Sequence, residues 1–573
     1  MTVNDAPWMK HYGNVPPSLC YPDITLYGML KKAAEGHEKR CAYEFMGRNT
    51  TFGKLMSDID TVSNALVSMG VKKGDRVMIC LPNTPHAVTL FYSINRIGAV
   101  AVMVHPLSSK KEVEFYINDS GSEIAVTLDR FCRSFDGLER TTPLKKLVVA
   151  DISKFLNPLL KTAYRIKSRK IPKVEMKEHM VAWEDMLSLA AGNAEYTDTS
   201  GKDVAVILYT GGTTGKSKGV LLSNMNFNAT ALQTYAMGQY ELTDKDSMLG
   251  VLPMFHGFGL CIGMHMTLIH SAKLIIVPIF SPDSYARLIR KKRPTFIAGV
   301  PTLFELTIRN KRLENTDLSF LRGVFVGGDT LTTDLKKRID DFLKERNSES
   351  TVREGYGLTE CVTASCLTPI NGYRAGSIGI PFPDTFYKIV KIGTDEEVPY
   401  GTDGEICISG PSVMIGYNNE TEETAAVLKT HDDGKLWLHT GDAGMMDEEG
   451  FIFFRQRIKR MIISSGYNIY PSQIENVLDS HPLVQSSCVI GIPDEIRIQR
   501  VKAFVVLKED ADATDAMKHD IREYCKESIA KYAVPSNIEF IGELPKTKVG
   551  KIAYTELERM EADKKGLSVN ERM

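Results

Sequence analysis

The twelve residues Tyr209-Thr-Gly-Gly-Thr-Thr-Gly-Lys-Ser-Lys-Gly-Val220 gather glycines, hydroxyls and lysines directly after the apolar run Val204–Leu208. An apolar run that ends in Gly-rich polar residues reads as a buried strand feeding a loop. Gly lets backbone N–H groups turn toward an anion, hydroxyls add donors and Lys adds charge. Thr210, Gly211, Gly212, Thr213, Thr214, Gly215, Lys216 and Lys218 are therefore candidate phosphate ligands. A Walker A loop would need Gly five residues before Gly215, where Thr210 stands. The spacing argues against a P-loop NTPase.

The order Thr-Gly-Gly-Thr-Thr-Gly-x-x-Lys-Gly resembles the phosphate loop of the adenylate-forming (AMP-binding) enzymes, which include acyl-CoA synthetases. Ser217 departs from it, since many relatives carry Pro there. Five further patches match the family in order along nearly the whole chain. Glu354-Gly-Tyr-Gly-Leu-Thr-Glu360 resembles the adenine and metal motif. Tyr356 and Gly357 would lie against a purine, Thr359 would offer a hydroxyl, and Glu360 would be a hard oxygen ligand for Mg²⁺. Gly327-Gly328 follows the apolar Gly323–Val326 and suits close passage of backbone along a nucleotide edge. Asp329 beside it departs from the small residue common in relatives. Thr440-Gly-Asp442 resembles a ribose clamp, with Asp442 accepting from sugar hydroxyls. Arg457 would contact ribose or phosphate, Lys459 would mark an interdomain pivot, and Gly466 would line a pantetheine tunnel. In Pro545-Lys-Thr-Lys-Val-Gly-Lys551 the resemblance makes Lys551 the catalytic lysine, with Lys546 and Lys548 as local alternatives.

The activity implied is ATP-dependent joining of a carboxylic acid to CoA through an acyl-adenylate, with Lys551, Glu360, Thr214 and Lys218 offsetting charge. By resemblance, Phe255–Met264 and Gly299–Phe304 line the acyl pocket, with His256, Phe258, Gly259, Met264 and Val300 touching substrate. Gly257, Gly259 and Gly263 would leave room there for a medium or long fatty acid, or an aromatic acid. His256 stands equally well as a gate or as a satisfied core histidine. Three other readings stay open: a standalone enzyme that loads a carrier protein, an aryl or bile-acid CoA ligase, and an inactive nucleotide or acyl binder.

Composition bounds the class. The chain has 573 residues, 43% hydrophobic and 25% charged, with a net charge of −1. That length exceeds one ordinary core, and that charge gives no bulk attraction to nucleic acid. Ten scattered cysteines form no CxxC pair, which fits reduced thiols in a cytosol. The N-terminus lacks signal-peptide character, and histidines and glycines interrupt the longest apolar stretch, Val251–Leu274. The expected location is cytoplasmic. Two readings stand for the basic segment Lys161–Lys173: a solvated charged face, or contact with anionic lipid at a membrane surface. Oligomeric state is not legible.

The elements that must position these residues follow from periodicity. Apolar runs Arg76–Leu81 and Ala99–Val104 flank the helically spaced Pro85–Gly98, a βαβ unit that predicts a parallel sheet covered by helices. Leu274–Val277, Phe296–Ala298 and Gly323–Val326 continue the alternation. From about residue 376, short strands among Gly, Pro and Asp turns predict a mostly β subdomain. The fold class is α/β: residues 1–375 as parallel α/β sheets with the ATP and acyl sites, 376–458 as a distorted β subdomain, and 459–573 as a small α+β domain. By resemblance, that last domain is mobile. In it, Ser472-Gln-Ile-Glu475 reads as a capping box opening a helix.

Overall fold

The computed structural model describes residues 6–156, 161–162, 175–190, 199–210, 217–464, 467–494, 497–509, 511–531, 533–546 and 552–564. Two large, mostly parallel sheets dominate. One has eight strands, in the order Gly416–Tyr417, Lys218–Ser223, Val204–Thr210, Val100–Met103, Arg76–Cys80, Ile124–Leu128, Lys146–Ala150 and Met180–Ala182. The six from Val204–Thr210 onward run parallel. The other has nine strands, and its parallel centre runs from Val352–Tyr356 through Gly323–Gly327, Phe296–Gly299, Ser247–Gly250 and Lys273–Ile276 to Cys41–Phe45.

Alternation along each strand decides which core it joins. Val77 and Ile79 face a shared interior with Leu274 and Ile276, filled by Leu26, Phe52, Phe91 and Phe227 from helices. Met78 and Cys80 face the opposite way, onto Val113, Ile117 and Phe135. Leu249, Ile275, Ile297 and Val324 likewise face Tyr285, Phe304 and Ile339. The parallel strands are thus apolar on both faces, as sheets covered by helices on both sides must be.

An antiparallel sheet follows, built from Phe386–Val390, Gly404–Ser409, Leu428–Thr430, Leu436–Met446 and Ile452–Arg457. A last sheet, from Ile462 to Phe540, buries Ile474, Leu478 and Ile521 on one face and Cys488, Phe504 and Leu557 on the other. The α/β class is as expected, and all ten cysteines are free.

The capping box is not formed. Pro471 opens the helix Pro471–Ser480, with Tyr470 as its N-cap and no side-chain cap bond. Proline's fixed φ pre-sets the first helical position, so Ser472 lies inside the helix. Its hydroxyl donates to the Arg455 carbonyl, and Glu475 pairs with Arg460 and accepts the Val489 N–H at 2.7 Å. No described helix is long and apolar enough to cross a membrane. Of the basic segment Lys161–Lys173, only Lys161 and Thr162 are among the described residues.

Candidate active site

The strands that flank the glycine-threonine segment in sequence form a hairpin pair. Strands Val204–Thr210 and Lys218–Ser223 pair antiparallel, with Thr210 opposite Lys218. Gly211, Gly212, Thr213, Thr214, Gly215 and Lys216 lie outside the described residues. The hairpin is anchored from the side. The Tyr209 hydroxyl donates to Asp119 Oδ2 at 2.8 Å, and Asn418 Nδ2 donates to the Asp119 carbonyl at 2.7 Å. Gly219 fits between them, since a Cβ there would stand 3.1 Å from Asp119 Oδ2.

Lys218 pairs with Glu423, and its ammonium sits 4.8 Å from the Tyr417 ring centre. The Tyr417 hydroxyl donates to Glu360 Oε1 at 2.8 Å. Burial, reinforced by the Glu360 charge, holds the Tyr417 phenol well above its ordinary value, so it stays a donor. Tyr417 and Glu423 link the hairpin's lysine to the glutamate of the second motif, and sequence reasoning missed both. The available signal was the polar aromatic in Gly416-Tyr-Asn-Asn419, followed by the acids Glu420, Glu422 and Glu423.

Tyr356 ends the strand Val352–Tyr356, beside the C-terminal end of Gly323–Gly327. Its ring packs near Phe454, with centroids 5.8 Å apart, and its hydroxyl donates to Asp442 Oδ2 at 2.5 Å. Asp442 Oδ1 lies 2.9 Å from Arg457 Nε, and Arg457 Nη1 donates to the Thr440 carbonyl at 3.3 Å. The pairing arises because Asp442 and Arg457 face each other across adjacent strands. Burial raises the Asp442 carboxyl above its ordinary value, against the pull of Arg457 and the Tyr356 hydrogen bond. The same Asp442 charge raises Arg457. Oδ1 is buried without an aligned hydrogen-bond donor. A sugar hydroxyl would supply one, so the residues present fit a nucleotide.

Val362 and Thr363, just past Thr359–Cys361, wedge between two of the sequence motifs. Val362 has a φ of 68°, which is strained for a β-branched residue. A Cβ on Gly357 would stand 1.9 Å from the Thr363 carbonyl oxygen, and one on Gly257 1.9 Å from that of Val362. One on Gly259 would stand 2.2 Å from the Pro253 carbonyl oxygen. Gly257 and Gly259 therefore do not open the room the sequence suggested; their small size lets backbone segments touch. Phe258 and Val300 border the Gly327-Gly328 pair, since a Cβ at Gly327 would lie 3.7 Å from Phe258 Cε1 and one at Gly328 3.5 Å from Val300 Cγ1. Met264 is fully buried in the π-helical segment Phe258–Met266, and His256 Nδ1 accepts the Phe258 N–H at 3.3 Å. The described residues thus join Lys218 to Glu360 through Tyr417, and hold Tyr356, Asp442 and Arg457 in a second set on which the Glu360 charge acts. Gly466 and Lys551 lie outside the described residues.

Known proteins match both parts of the chain. The family model for AMP-binding enzymes matches residues 30–418, and that for the AMP-binding enzyme C-terminal domain matches 473–551. The chain is 33% identical over 562 residues to a long-chain-fatty-acid–CoA ligase of Bacillus subtilis, covering 96% of this chain and 97% of that one. It is 32% identical over 568 residues to one of Escherichia coli, with the same coverage of 96% and 97%. Among solved structures, ATP-bound MatB from Rhodopseudomonas palustris superposes with a TM-score of 0.80 at 26% identity, covering 94% of this chain and 99% of that one. Phosphate-loop composition, the Tyr356–Asp442–Arg457 set and matches spanning both parts of the chain lead to one conclusion: this chain belongs to the AMP-binding, adenylate-forming enzyme family.

Proposed function

We propose that this protein is an ATP-dependent, AMP-forming fatty acid–CoA ligase acting on medium or long acyl chains. The observation that carries it is the buried Asp442, with Oδ1 lacking an aligned donor, held by Arg457 and by Tyr356, which itself stands at the carboxyl end of a parallel strand. Ligands of open α/β sheets bind at such strand ends. Near-full-length identity to long-chain-fatty-acid–CoA ligases supports the acid and the thiol.

The physical difficulty is that a carboxylate must approach a polyphosphate. On this reading Asp442 accepts from ribose hydroxyls and Arg457 balances its charge. Lys218 and the Thr210–Lys216 loop hold phosphate oxygens, and Lys551 approaches the α-phosphate from the C-terminal part. The half-buried Glu360, with one oxygen taken by Tyr417 and the Thr359 hydroxyl adjacent, fits a hard divalent ion. Mg²⁺ there would neutralise phosphate charge. In-line attack on the α-phosphate releases pyrophosphate, and the CoA thiol then displaces AMP. We divide the chain functionally at residues 376 and 459, so that Lys551 and Gly466 share one small domain and serve successive half-reactions.

A pyrophosphate-release screen over carboxylic acids of graded length, with and without CoA, tests this. The expected result is acid-dependent pyrophosphate and AMP, rising with chain length and accelerated by CoA. Turnover with a holo carrier protein but not with CoA would replace the acceptor. Acid-independent phosphate release, or none across the panel, would overturn the reading.

A further inference from the structure

In the antiparallel sheet, on the far side of Glu405 from the nucleotide residues, three side chains converge without a role in the chemistry above. His431 follows the strand Leu428–Thr430, His439 lies in Leu436–Met446, and Asp395 lies in the turn after Phe386–Val390. His431 Nε2 and His439 Nε2 are 3.0 Å apart. Asp395 Oδ1 stands 3.8 Å from the first and 3.4 Å from the second. A tetrahedral ion with bonds of about 2.0–2.1 Å holds its ligand atoms roughly 3.3 Å apart. The three separations bracket that spacing.

The protonation pattern points the same way. His439 Nδ1 lies 3.0 Å from Glu405 Oε2, and in the neutral tautomer that donates to it, Nε2 carries the lone pair. One N–H from neutral His431 can serve His439 Nε2 or Asp395 Oδ1, but not both. Two acceptors would then face each other at 3.4 Å. A cation held by all three removes that conflict. Both rings are buried while the Asp395 side chain is 49% exposed, so a path from solvent exists. Lys429 is the competing cation, with Nζ 3.3 Å from Asp395 Oδ1, and its side chain is exposed enough to swing away.

We propose that Asp395, His431 and His439 form a binding site for one borderline divalent transition ion of the Zn²⁺ type, with the fourth position open to solvent. Two imidazoles and a carboxylate suit Zn²⁺, Co²⁺, Ni²⁺ or Cu²⁺ rather than Mg²⁺ or Ca²⁺. Glu405 is the outer partner that orients His439. Its other oxygen accepts the Gly441 N–H at 2.9 Å, next to Asp442. An ion here therefore braces the backbone that presents Asp442. The site stands whether or not the acyl-ligase reading holds.

The test is a Co²⁺ titration of the chelator-treated full chain without nucleotide. One equivalent should bind with visible d–d bands, no thiolate charge-transfer band, and displacement by Zn²⁺. Asp395→Asn and His431→Gln should each weaken binding at least tenfold. Lys429→Met, which removes the competitor, should tighten it, and the distant, exposed His519→Gln should leave it unchanged. Should His431→Gln misfold, the two exposed-site variants decide. Absence of stoichiometric binding (a plain N–H···N pair only), a thiolate band, or affinity unmoved by Asp395→Asn would overturn the proposal.

Discussion

Asp442 and Glu354 are both buried acids close to Tyr356, yet they meet different fates. Asp442 has Arg457 as a charge partner and the Tyr356 hydroxyl as a donor. Glu354 has only a backbone hydrogen bond from Leu331 and the more distant Lys336, and burial pushes it up from 4.5 to about 8. A folded-state value above the unfolded one means the contribution is fully present below about pH 4.5 and lost as pH rises through about 8. Glu354→Gln removes that titration. Its apparent melting temperature relative to wild type should therefore rise between pH 5 and 9, on the order of a few degrees. Parallel thermal melts across that range check it. A constant offset would mean that Glu354 is ionised throughout, against Lys336. The sequence placed both acids in or beside nucleotide motifs, but their burial comes from strands far apart in the chain. Residue type alone therefore gave no hint that one is paired and the other is not.

At the scale of elements, the Val362–Thr363 turn couples the segment expected to line the acyl pocket to the Tyr356 motif. Gly257 presses on one of its carbonyl oxygens and Gly357 on the next. A methyl at either position meets backbone, which cannot rotate away as a side chain could. Gly257→Ala and Gly357→Ala should each displace the turn by roughly 1 Å and lower kcat/KM about 100-fold while the fold persists. Gly542→Ala, where nothing lies within 4 Å, should stay within about twofold. Initial pyrophosphate-release rates beside far-UV spectra read both quantities, and full activity in Gly257→Ala would dissociate the two motifs. The βαβ rhythm of Arg76–Met103 was legible because period-2 and period-3.6 apolar patterns are local. The roles of Gly257 and Gly259 were not, because composition shows a missing side chain without showing what occupies the space. The Ser472–Glu475 pair failed as a capping box for a similar reason. Proline at 471 outranked it, and tertiary partners at Arg455 and Arg460 claimed both side chains.

For the whole molecule, the order of motifs was the strongest signal in the sequence, because no single patch identifies a family and six in register do. What the order could not convey is how the last sheet is tied to the rest. Part of the answer lies at the junction, where the Ser472 hydroxyl bonds the Arg455 carbonyl across Lys459, while Arg460 pairs with Glu475 on the C-terminal side. The Ser472–Arg455 contact is polar, the kind that can be exchanged at modest cost when one part rotates on another. On the proposed reading, Lys551 is needed only while negative charge builds at the α-phosphate, and Gly466 only while the thiol attacks. Lys551→Ala should therefore lower pyrophosphate release by about 100- to 1000-fold, the loss typical of one electrostatic donor to a developing anion. Thioester formation from supplied acyl-adenylate and CoA should stay near wild type in the same variant. Measuring the two half-reactions separately distinguishes alternation from a single fixed arrangement, because a lysine that served one closed site throughout would cost both steps alike.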